Sequence, residues 1–266
     1  MRILHWACAA RWGMLSGMNT PNPFGCIGIL GGMGPAATID FMAKIVAHTS
    51  ASCDQEHVPM LVHCVPQIPD RSTAIRAGTD EPFAWLLDGL HKLEAAGADY
   101  IAIPCNTAHF WHERLSAAAR VPIIHIAQAT ADALTACGQS PGRVALMSTR
   151  GTVGTRMYQS RLEDRVEQFI VPDEAEQELI DTAIWSVKAG NIALGRERAQ
   201  RAAKRLFEQG ADRVLLACTE LPVVLTREMM GATAVDCTDA LARACVVASV
   251  SGRVPDHPLP ELEAAA

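Results

Sequence analysis

The chain has 266 residues, of which 49% are hydrophobic and 20% are charged. This length suffices for one large domain or two small ones with a full core, and the apolar fraction excludes collagen, low-complexity and disordered chains. The net charge of −6 argues against a nucleic-acid or membrane-surface partner, because such partners usually select a basic excess. No run of 18 apolar residues predicts a transmembrane helix.

Short apolar runs alternate with longer helical patterns along the chain. The predicted strands are Cys26–Leu30, Met60–Val65, Tyr100–Pro104, Pro122–Ile126, Arg143–Ser148, Val166–Val171, Arg213–Ala217 and Ala234–Asp236. The predicted helices are Ala36–Thr49, Phe83–Ala96, Thr107–Ala119, Gln128–Cys137, Thr155–Arg165, a segment from the Asp173/Glu176 capping box to Gly190, Arg196–Gln209 and Leu221–Met230. Nearly all-apolar strands separated by helices predict an α/β fold with parallel sheets covered by helices on both faces.

Both ends of the chain depart from this alternation. Residues 1–23 are expected to form an unstructured extension, because their apolar run is short, Arg11 interrupts it, and Met18 stands just before the first strand. Residues 251–266 contain three prolines and are expected to form a surface tail.

The second part of the chain repeats the first. Gly97-Ala98-Asp99 and Gly210-Ala211-Asp212 each precede a strand that leads to a cysteine, and both the triplets and the cysteines, Cys105 and Cys218, are 113 residues apart. We therefore predict two pseudo-symmetric α/β domains, one formed by residues 24–120 plus 231–250 and the other by residues 121–230, with an active site in the cleft between them.

Nine cysteines are scattered along the chain, an odd number without a CxxC pair. This pattern is not that of a secreted disulfide framework or a zinc ribbon, so we expect reduced thiols in a cytoplasmic protein with no bound metal. The Cys105-x3-His109-x2-His112 spacing only superficially resembles a metal site, because no second cysteine pair lies nearby.

Cys105 and Cys218 are the candidate catalytic residues. Each follows an apolar strand and precedes a polar turn, and ligands of parallel sheets bind at the carboxyl ends of strands. A helix N-terminus beside each thiol would lower its pKa. Two opposed thiols suit inversion of a stereocentre, in which one group removes a proton from one face and the other returns a proton to the opposite face. The simpler alternative is that both are buried core cysteines.

The glycine-rich turn from Gly28 to Ala37 contains Met33 and Gly34 and admits two interpretations. It includes a G-x-G-x-x-A variant of the dinucleotide fingerprint, with Asp54 twenty residues beyond Gly34. However, Asp54 precedes the second strand, whereas the fingerprint acid follows it. The amides of this turn could instead bind a carboxylate.

Further side chains at strand exits are candidate substrate ligands. Arg71 lies on a predicted loop after the second strand, where a guanidinium could bind a carboxylate, and Lys188 lies near the end of a helix. Ser148, Thr149 and Thr152 occupy the turn equivalent to the glycine-rich one. The polar neighbours of the two cysteines complete the set: Asn106, Thr107, Thr219 and Glu220.

Five motifs in register resemble the aspartate racemase branch of the aspartate/glutamate racemase superfamily. They are Gly28-Ile29-Leu30-Gly31-Gly32-Met33-Gly34-Pro35, Asp54-Gln55-Glu56-His57, Gln67-Ile68-Pro69-Asp70-Arg71, Pro104-Cys105-Asn106-Thr107-Ala108-His109 and Ala217-Cys218-Thr219-Glu220. The resemblance spans about residues 24 to 248. Glu220 is similar to the aspartate branch, where the glutamate branch has histidine. Arg150 and residues 1–23 depart from the pattern, and Arg150 leaves the side-chain preference open.

The resemblance implies a cofactor-independent amino-acid racemase. Cys105 and Cys218 would be its two acid/base groups, Arg71 and Lys188 would bind carboxylates, and the chain would form a homodimer. A dicarboxylic substrate such as aspartate is favoured. The alternatives are a maleate isomerase or hydantoin racemase on the same fold, a non-catalytic amino-acid-binding protein, and a nicotinamide-dependent enzyme.

Overall fold

The computed structural model describes residues 23–135 and 142–252. The first half contains these elements in order: β1 (Ile27–Gly31), α1 (Pro35–His48), a 3-10 helix (Asp54–Glu56), β2 (Met60–Cys64), α2 (Arg71–Ala77), α3 (Glu81–Ala95), β3 (Tyr100–Ala102), a 3-10 helix (Thr107–Trp111), α4 (His112–Ala118), β4 (Ile123–Ile124) and α5 (Ile126–Thr135).

The second half follows with the same alternation: β5 (Arg143–Ser148), α6 (Arg150–Thr155), α7 (Gln159–Leu162), β6 (Gln168–Ile170), α8 (Glu174–Lys188), α9 (Ile192–Glu208), β7 (Arg213–Ala217), α10 (Leu221–Val224), α11 (Arg227–Met230), a 3-10 helix (Gly231–Thr233), β8 (Ala234–Asp236) and α12 (Cys237–Ser251).

Two four-stranded parallel sheets form the core of the fold. Their strand orders are β2-β1-β3-β4 and β6-β5-β7-β8, so the second sheet repeats the order of the first. All strand pairs are parallel. The α/β class and the two similar sheets predicted from the sequence are therefore confirmed.

The repeat extends to a side-chain contact at the start of each central strand. Oδ2 of Asp99 accepts a hydrogen bond from the amide of Cys26 at 2.7 Å. In the second half, Oδ2 of Asp212 accepts one from the amide of Arg143, also at 2.7 Å. These are the aspartates of the two Gly-Ala-Asp triplets, so each triplet ties the beginning of one strand to that of its neighbour.

The last helix returns to the first half of the chain. α12 packs against α1 and α5, and two ion pairs hold the junction: Lys44 Nζ lies 2.6 Å from Asp236 Oδ2, and His48 Nε2 lies 2.6 Å from Asp239 Oδ1. Its apolar side chains, among them Leu241 and Cys245, join a core cluster that contains strand residues of both sheets. This return is why residues near the C-terminus complete the first half.

Strand pairing differs from the predicted domain boundaries at two points, although the division into domains itself stays a prediction. β4 pairs with β3 in the first sheet, whereas the boundary at 120/121 assigned it to the second domain. β8 pairs with β7 in the second sheet, whereas it was assigned to the first domain. In both places the chain completes one sheet before it crosses over.

Local signals that were missed or misjudged explain the other differences. Arg71 was placed on a loop but begins α2, because the Asp70 side chain accepts a hydrogen bond from the Thr73 amide and caps the helix. Thr149 caps α6 in the same way, so this helix begins at Arg150, earlier than predicted. The expected helix Leu221–Met230 is divided into α10 and α11, because the backbone at Thr226 is extended.

Several expectations concern the chain ends, the cysteines and the membrane. Residues 1–22 of the predicted extension and residues 253–266 of the predicted tail lie outside the described residues. Cys53 is disulfide-bonded, so the expectation of uniformly reduced cysteines is wrong there. Six other described cysteines are free thiols, including Cys105 and Cys218.

Within the described ranges no helix is both long and apolar enough to cross a membrane.

Candidate active site

Cys105 and Cys218 occupy equivalent positions in the two halves and line the same cleft. Cys105 follows β3 and Cys218 follows β7 directly, and both strands have the same place in their sheets. The two residues are buried to nearly the same extent, with 6% and 7% of their surface exposed. Parallel sheets present their carboxyl ends as binding edges, which explains why two residues so distant in sequence meet here.

Cys218 has a carboxylate as its immediate partner. Its thiol donates a hydrogen bond to Oε2 of Glu220 at 3.0 Å, and the Thr219 hydroxyl donates to the same oxygen at 3.3 Å. Burial raises the pKa of Cys218 well above its ordinary value and the Glu220 charge raises it further, whereas Lys188 opposes the rise. The sequence-based expectation of a lowered pKa is therefore wrong for Cys218, because desolvation and a like charge outweigh the neighbouring helix.

Lys188 extends from the end of α8 toward Glu220. Its Nζ lies 3.3 Å from Glu220 Oε1 and 5.6 Å from the centre of the Trp185 ring. Burial lowers the pKa of Lys188, but the charges of Glu220 and of both cleft cysteines raise it, and the net shift is upward. The ammonium thus stays charged and lies within electrostatic reach of both thiols.

Arg71 is a buried guanidinium that faces the cleft, with 8% of its surface exposed. Its Nη1 donates to the carbonyl oxygens of Ile68 at 3.1 Å and of Pro69 at 3.0 Å. Its buried Nε has no hydrogen-bond partner among the residues that the structure describes. A buried cation with an unused donor is suited to bind an anionic ligand.

Three threonine hydroxyls join the two halves beside the cysteines. Thr107 Oγ1 lies 3.0 Å from Oγ1 of both Thr149 and Thr152, and Thr107 belongs to the first half while the other two belong to the second. Next to them, Asn106 accepts a hydrogen bond from the Tyr158 hydroxyl through Oδ1. The buried Nδ2 of Asn106 lacks a partner in the described part of the chain.

His109 holds the backbone that follows β3. Its Nδ1 lies 2.9 Å from the Cys105 carbonyl oxygen, which can only accept, and its Nε2 lies 3.2 Å from the Ile126 amide, which can only donate. The neutral ring with hydrogen on Nδ1 satisfies both contacts. Burial, followed by the charge of His112, lowers the pKa of His109 to about 3. Among residues 23–135 and 142–252, no group of three or more His, Cys, Asp or Glu residues could hold a metal ion.

Most of the predicted site residues line this cleft: Met33, Arg71, Cys105, Asn106, Thr107, Thr149, Lys188, Cys218, Thr219 and Glu220. Three others, Gly34, Ser148 and Thr152, do not line the cleft but lie next to residues that do. A Cβ at Gly34 would lie 3.5 Å from Glu220 Oε1, Thr152 contacts Thr107, and the buried Ser148 hydroxyl donates to the Thr149 carbonyl at 3.3 Å. The substrate-binding roles of all these residues remain predictions.

The sequence interpretation missed three side chains of α8 that helical spacing could have found. Asp181, Ile184 and Trp185 line the cleft at seven, four and three residues before Lys188, so they share one helix face with it. Finding these three required only that Lys188 be treated as one position of a periodic face. Ser72 and Arg76, which line the cleft from α2, were also missed.

The glycine-rich turn does not provide a phosphate cradle. The amide of Gly32 donates to the Thr38 hydroxyl at 2.9 Å, and a Cβ at Gly31 would lie 2.4 Å from Thr38 Cγ2. Gly32 has a φ of 96° and passes against the Val65 backbone, which explains why glycine is required. Thr38 and the Val65 backbone occupy the space beside the turn where a phosphate would bind, which disfavours the nicotinamide alternative.

A family comparison agrees with this architecture. The family described as Asp/Glu/Hydantoin racemase matches residues 30–245. The chain belongs to the Asp/Glu/hydantoin racemase family. The broad specificity amino-acid racemase RacX of Bacillus subtilis is 30% identical over 227 residues, which are 83% of this chain and 96% of that protein. The chain is therefore an amino-acid racemase of this family, an isomerase.

Solved structures of the Asp/Glu/hydantoin racemase family also resemble this fold. The aspartate racemase of Picrophilus torridus is 32% identical, with a TM-score of 0.76 over 84% of this chain and 93% of that one. An aspartate racemase homologue from Pyrococcus horikoshii OT3 is 23% identical, with a TM-score of 0.66 over 83% and 96% of the two chains. At that identity the second likeness supports the fold alone.

Proposed function

We propose that this racemase inverts the Cα of an amino acid by proton transfer between two thiols, without a cofactor, and that aspartate is its preferred substrate. The observation that carries the proposal is the meeting of Cys105 and Cys218 in one cleft, at equivalent positions of two sheets with the same strand order. Their matched burial and their shared neighbour Lys188 add support.

In one direction the thiolate of one cysteine takes the Cα proton, and the electron pair left at Cα delocalises toward the carboxylate. The thiol of the other cysteine then delivers its proton to the opposite face and becomes the thiolate. The reverse reaction exchanges the two roles. Burial excludes water, which would otherwise exchange protons with the carbanion and compete with the thiols.

Arg71 is the proposed ligand of the α-carboxylate, because its guanidinium is buried and one of its donors is unused. Lys188 is the proposed ligand of a second carboxylate, and Glu220 balances its charge when the cleft is empty. Asn106 and Thr107 would orient the substrate beside Cys105. The name of the Picrophilus torridus relative favours aspartate, whereas that of the Bacillus subtilis relative indicates a wider range.

The test is incubation of the reduced protein with L-aspartate and then with D-aspartate in D2O, without pyridoxal phosphate. NMR follows loss of the α-proton and chiral chromatography follows inversion. We expect inversion with deuterium at Cα in both directions, and Cys105→Ser and Cys218→Ser should each abolish it. The matched control is Cys64→Ser, because Cys64 is also a free thiol but is exposed at the end of β2.

Wild-type turnover in either cleft variant would contradict the two-thiol mechanism. Failure of aspartate alone would reject only the substrate, and a panel of other amino acids would follow. The family description also favours a hydantoin as the second candidate substrate. Conversion of maleate to fumarate would identify an isomerase that uses cysteine as a nucleophile. Ligand-induced stabilisation without any turnover would indicate a binding protein.

We also infer that the enzyme works as a homodimer in the cytoplasm. The two-thiol mechanism needs Cys105 and Cys218 as free thiols, which they are, and a reducing compartment maintains that state, although the disulfide at Cys53 does not support this location. The dimer rests on the family resemblance. Sedimentation at micromolar concentration and fractionation of the source cells test the two parts separately.

A further inference from the structure

Arg150 lies on the wall of the cleft but is held by two carboxylates from α8. Its Nε donates to Asp181 Oδ2 at 2.6 Å. Its Nη1 and Nη2 donate to the two oxygens of Glu174 at 2.8 and 2.7 Å, which is the bidentate geometry that arginine prefers. The single positive charge that Arg150 brings to the cleft is therefore exceeded by the two negative charges of Asp181 and Glu174.

A second contact fixes this arrangement from behind. Gln177 Nε2 donates to the other oxygen of Asp181 at 2.9 Å and to the carbonyl oxygen of Ser148 at 2.9 Å. Gln177 is buried, so it connects α8 to the end of β5 through Asp181. Arg150 itself follows β5 by two residues. The ion-paired group is thus held both by α8 and by the end of β5, and Gln177 fixes the position of Asp181 between them.

We propose that Arg150, held by Asp181 and Glu174, determines which amino-acid side chains the racemase accepts. This inference rests on the proposed function and deepens it. Because two carboxylates face one guanidinium, the group has a net charge of −1 and the wall adds no attraction for an anionic side chain. The cleft should therefore accept acidic amino acids together with their neutral amides, rather than acidic ones alone. The α-carboxylate contact with Arg71 is common to all these substrates and does not discriminate between them.

The same geometry predicts opposite effects for the two kinds of variant. Asp181→Asn or Glu174→Gln changes the net charge of the group from −1 to 0, so kcat/KM for aspartate should rise relative to that for asparagine. Arg150→Gln leaves Asp181 and Glu174 without their cation, so kcat/KM for aspartate should fall relative to that for asparagine. A change of one charge close to a bound carboxylate should change the ratio by about fivefold. Damage to the fold alone would lower kcat/KM for both substrates by the same factor.

The experiment measures kcat/KM for L-aspartate and L-asparagine in each variant, and the dissociation constants of succinate and its monoamide by calorimetry. Asp88→Asn is the matched control, because Asp88 pairs with Lys92 on the exposed face of α3, away from the cleft. We expect the ratio of the two kcat/KM values to shift one way in the Asp181 and Glu174 variants and the other way in the Arg150 variant. The ratio of the two dissociation constants should shift in the same pattern, and both ratios should stay constant in the control.

Equal ratios in all variants would overturn the proposal while leaving the racemase function intact. Shifts of the same sign in Asp181→Asn and Arg150→Gln would also overturn it. Should Asp181→Asn fail to fold, Glu174→Gln decides the question, because the Glu174 side chain is 80% exposed and its loss removes no buried contact. An inactive wild type would count against the proposed function, and the calorimetric ratio would still test the role of Arg150.

Discussion

The thiol of Cys218 and the carboxylate of Glu220 are joined by a hydrogen bond of 3.0 Å, and among the described residues Cys105 has no such carboxylate partner. The two thiols are equally buried, so this contact makes them chemically unequal. Glu220 keeps the proton on Cys218 in the resting enzyme, whereas Cys105 lacks that constraint. The pseudo-symmetry of the fold is thus broken at the atoms proposed to react.

Glu220→Gln should make Cys218 more reactive. The change removes the charge that adds to burial in raising the pKa of Cys218, and it frees Lys188 to act on the thiolate. At pH 8 the rate of alkylation by iodoacetamide, followed by mass spectrometry of the Cys218 peptide, should rise about tenfold for each unit by which the pKa falls. Cys105 is the internal reference, and an unchanged ratio of the two rates would refute the role of the carboxylate.

Arg71→Ala should impair substrate binding more than it impairs the fold. The guanidinium is the proposed α-carboxylate ligand, so kcat/KM should fall about 100-fold, mainly through KM. Methylguanidinium should restore part of the activity by entering the space left by the side chain, and Arg71→Lys should recover little because lysine lacks the fork of donors. Activity that falls without rescue, together with a lower melting temperature, would indicate a structural role instead.

Gly151→Ala should destabilise the contact between the two halves at the cleft. A Cβ at this position would lie 2.6 Å from Ser72 Oγ and 2.9 Å from Thr107 Cγ2. Overpacking of this kind destabilises a fold by about 1–3 kcal/mol, and activity should fall as well because Thr107 adjoins Cys105. Gly154→Ala in the same helix is the control. Among the described residues, no atom outside its own helix lies within 4 Å of its Cβ position, so urea unfolding should show no loss of stability.

The buried histidines should make the protein less stable in acid. Burial first and neighbouring charges second lower the pKa of His109 to about 3 and also lower that of His125, whereas histidine in an unfolded chain titrates near 6.5. Below about pH 6.5 the unfolded state therefore binds more protons, and each histidine removes about 1.4 kcal/mol of stability per pH unit as the pH falls toward its folded value.

Urea unfolding at pH 7 and pH 5 measures this loss. His125→Asn retains an acceptor for the Ala127 amide, to which His125 Nδ1 is bonded at 3.1 Å. It should reduce the difference in unfolding free energy between the two pH values. An identical pH dependence in wild type and variant would show that His125 does not contribute to it.

Much of this protein could be predicted from its sequence because the relevant signals are local. Apolar runs of strand length and the Asp173/Glu176 capping box act within a few residues, and the structure contains them at the expected places. The two Gly-Ala-Asp triplets are also readable locally, although their aspartates bond to strands about 70 residues away. The repeat then implied that Cys105 and Cys218 occupy equivalent strand ends. Boundaries were less predictable where a single cap decides them, as at Asp70 and Thr149.

Only the tertiary structure decided which charges in the cleft are matched and which are unused. Arg71 and Arg150 are the same residue type, but Arg71 keeps a buried Nε without a partner among the described residues, while Nε and both terminal nitrogens of Arg150 bond to two carboxylates from α8. The raised pKa of Cys218 likewise depends on burial and on the orientation of Glu220. These properties depend on burial and on the orientation of side chains, and both exist only once the helices and strands around the cleft have packed.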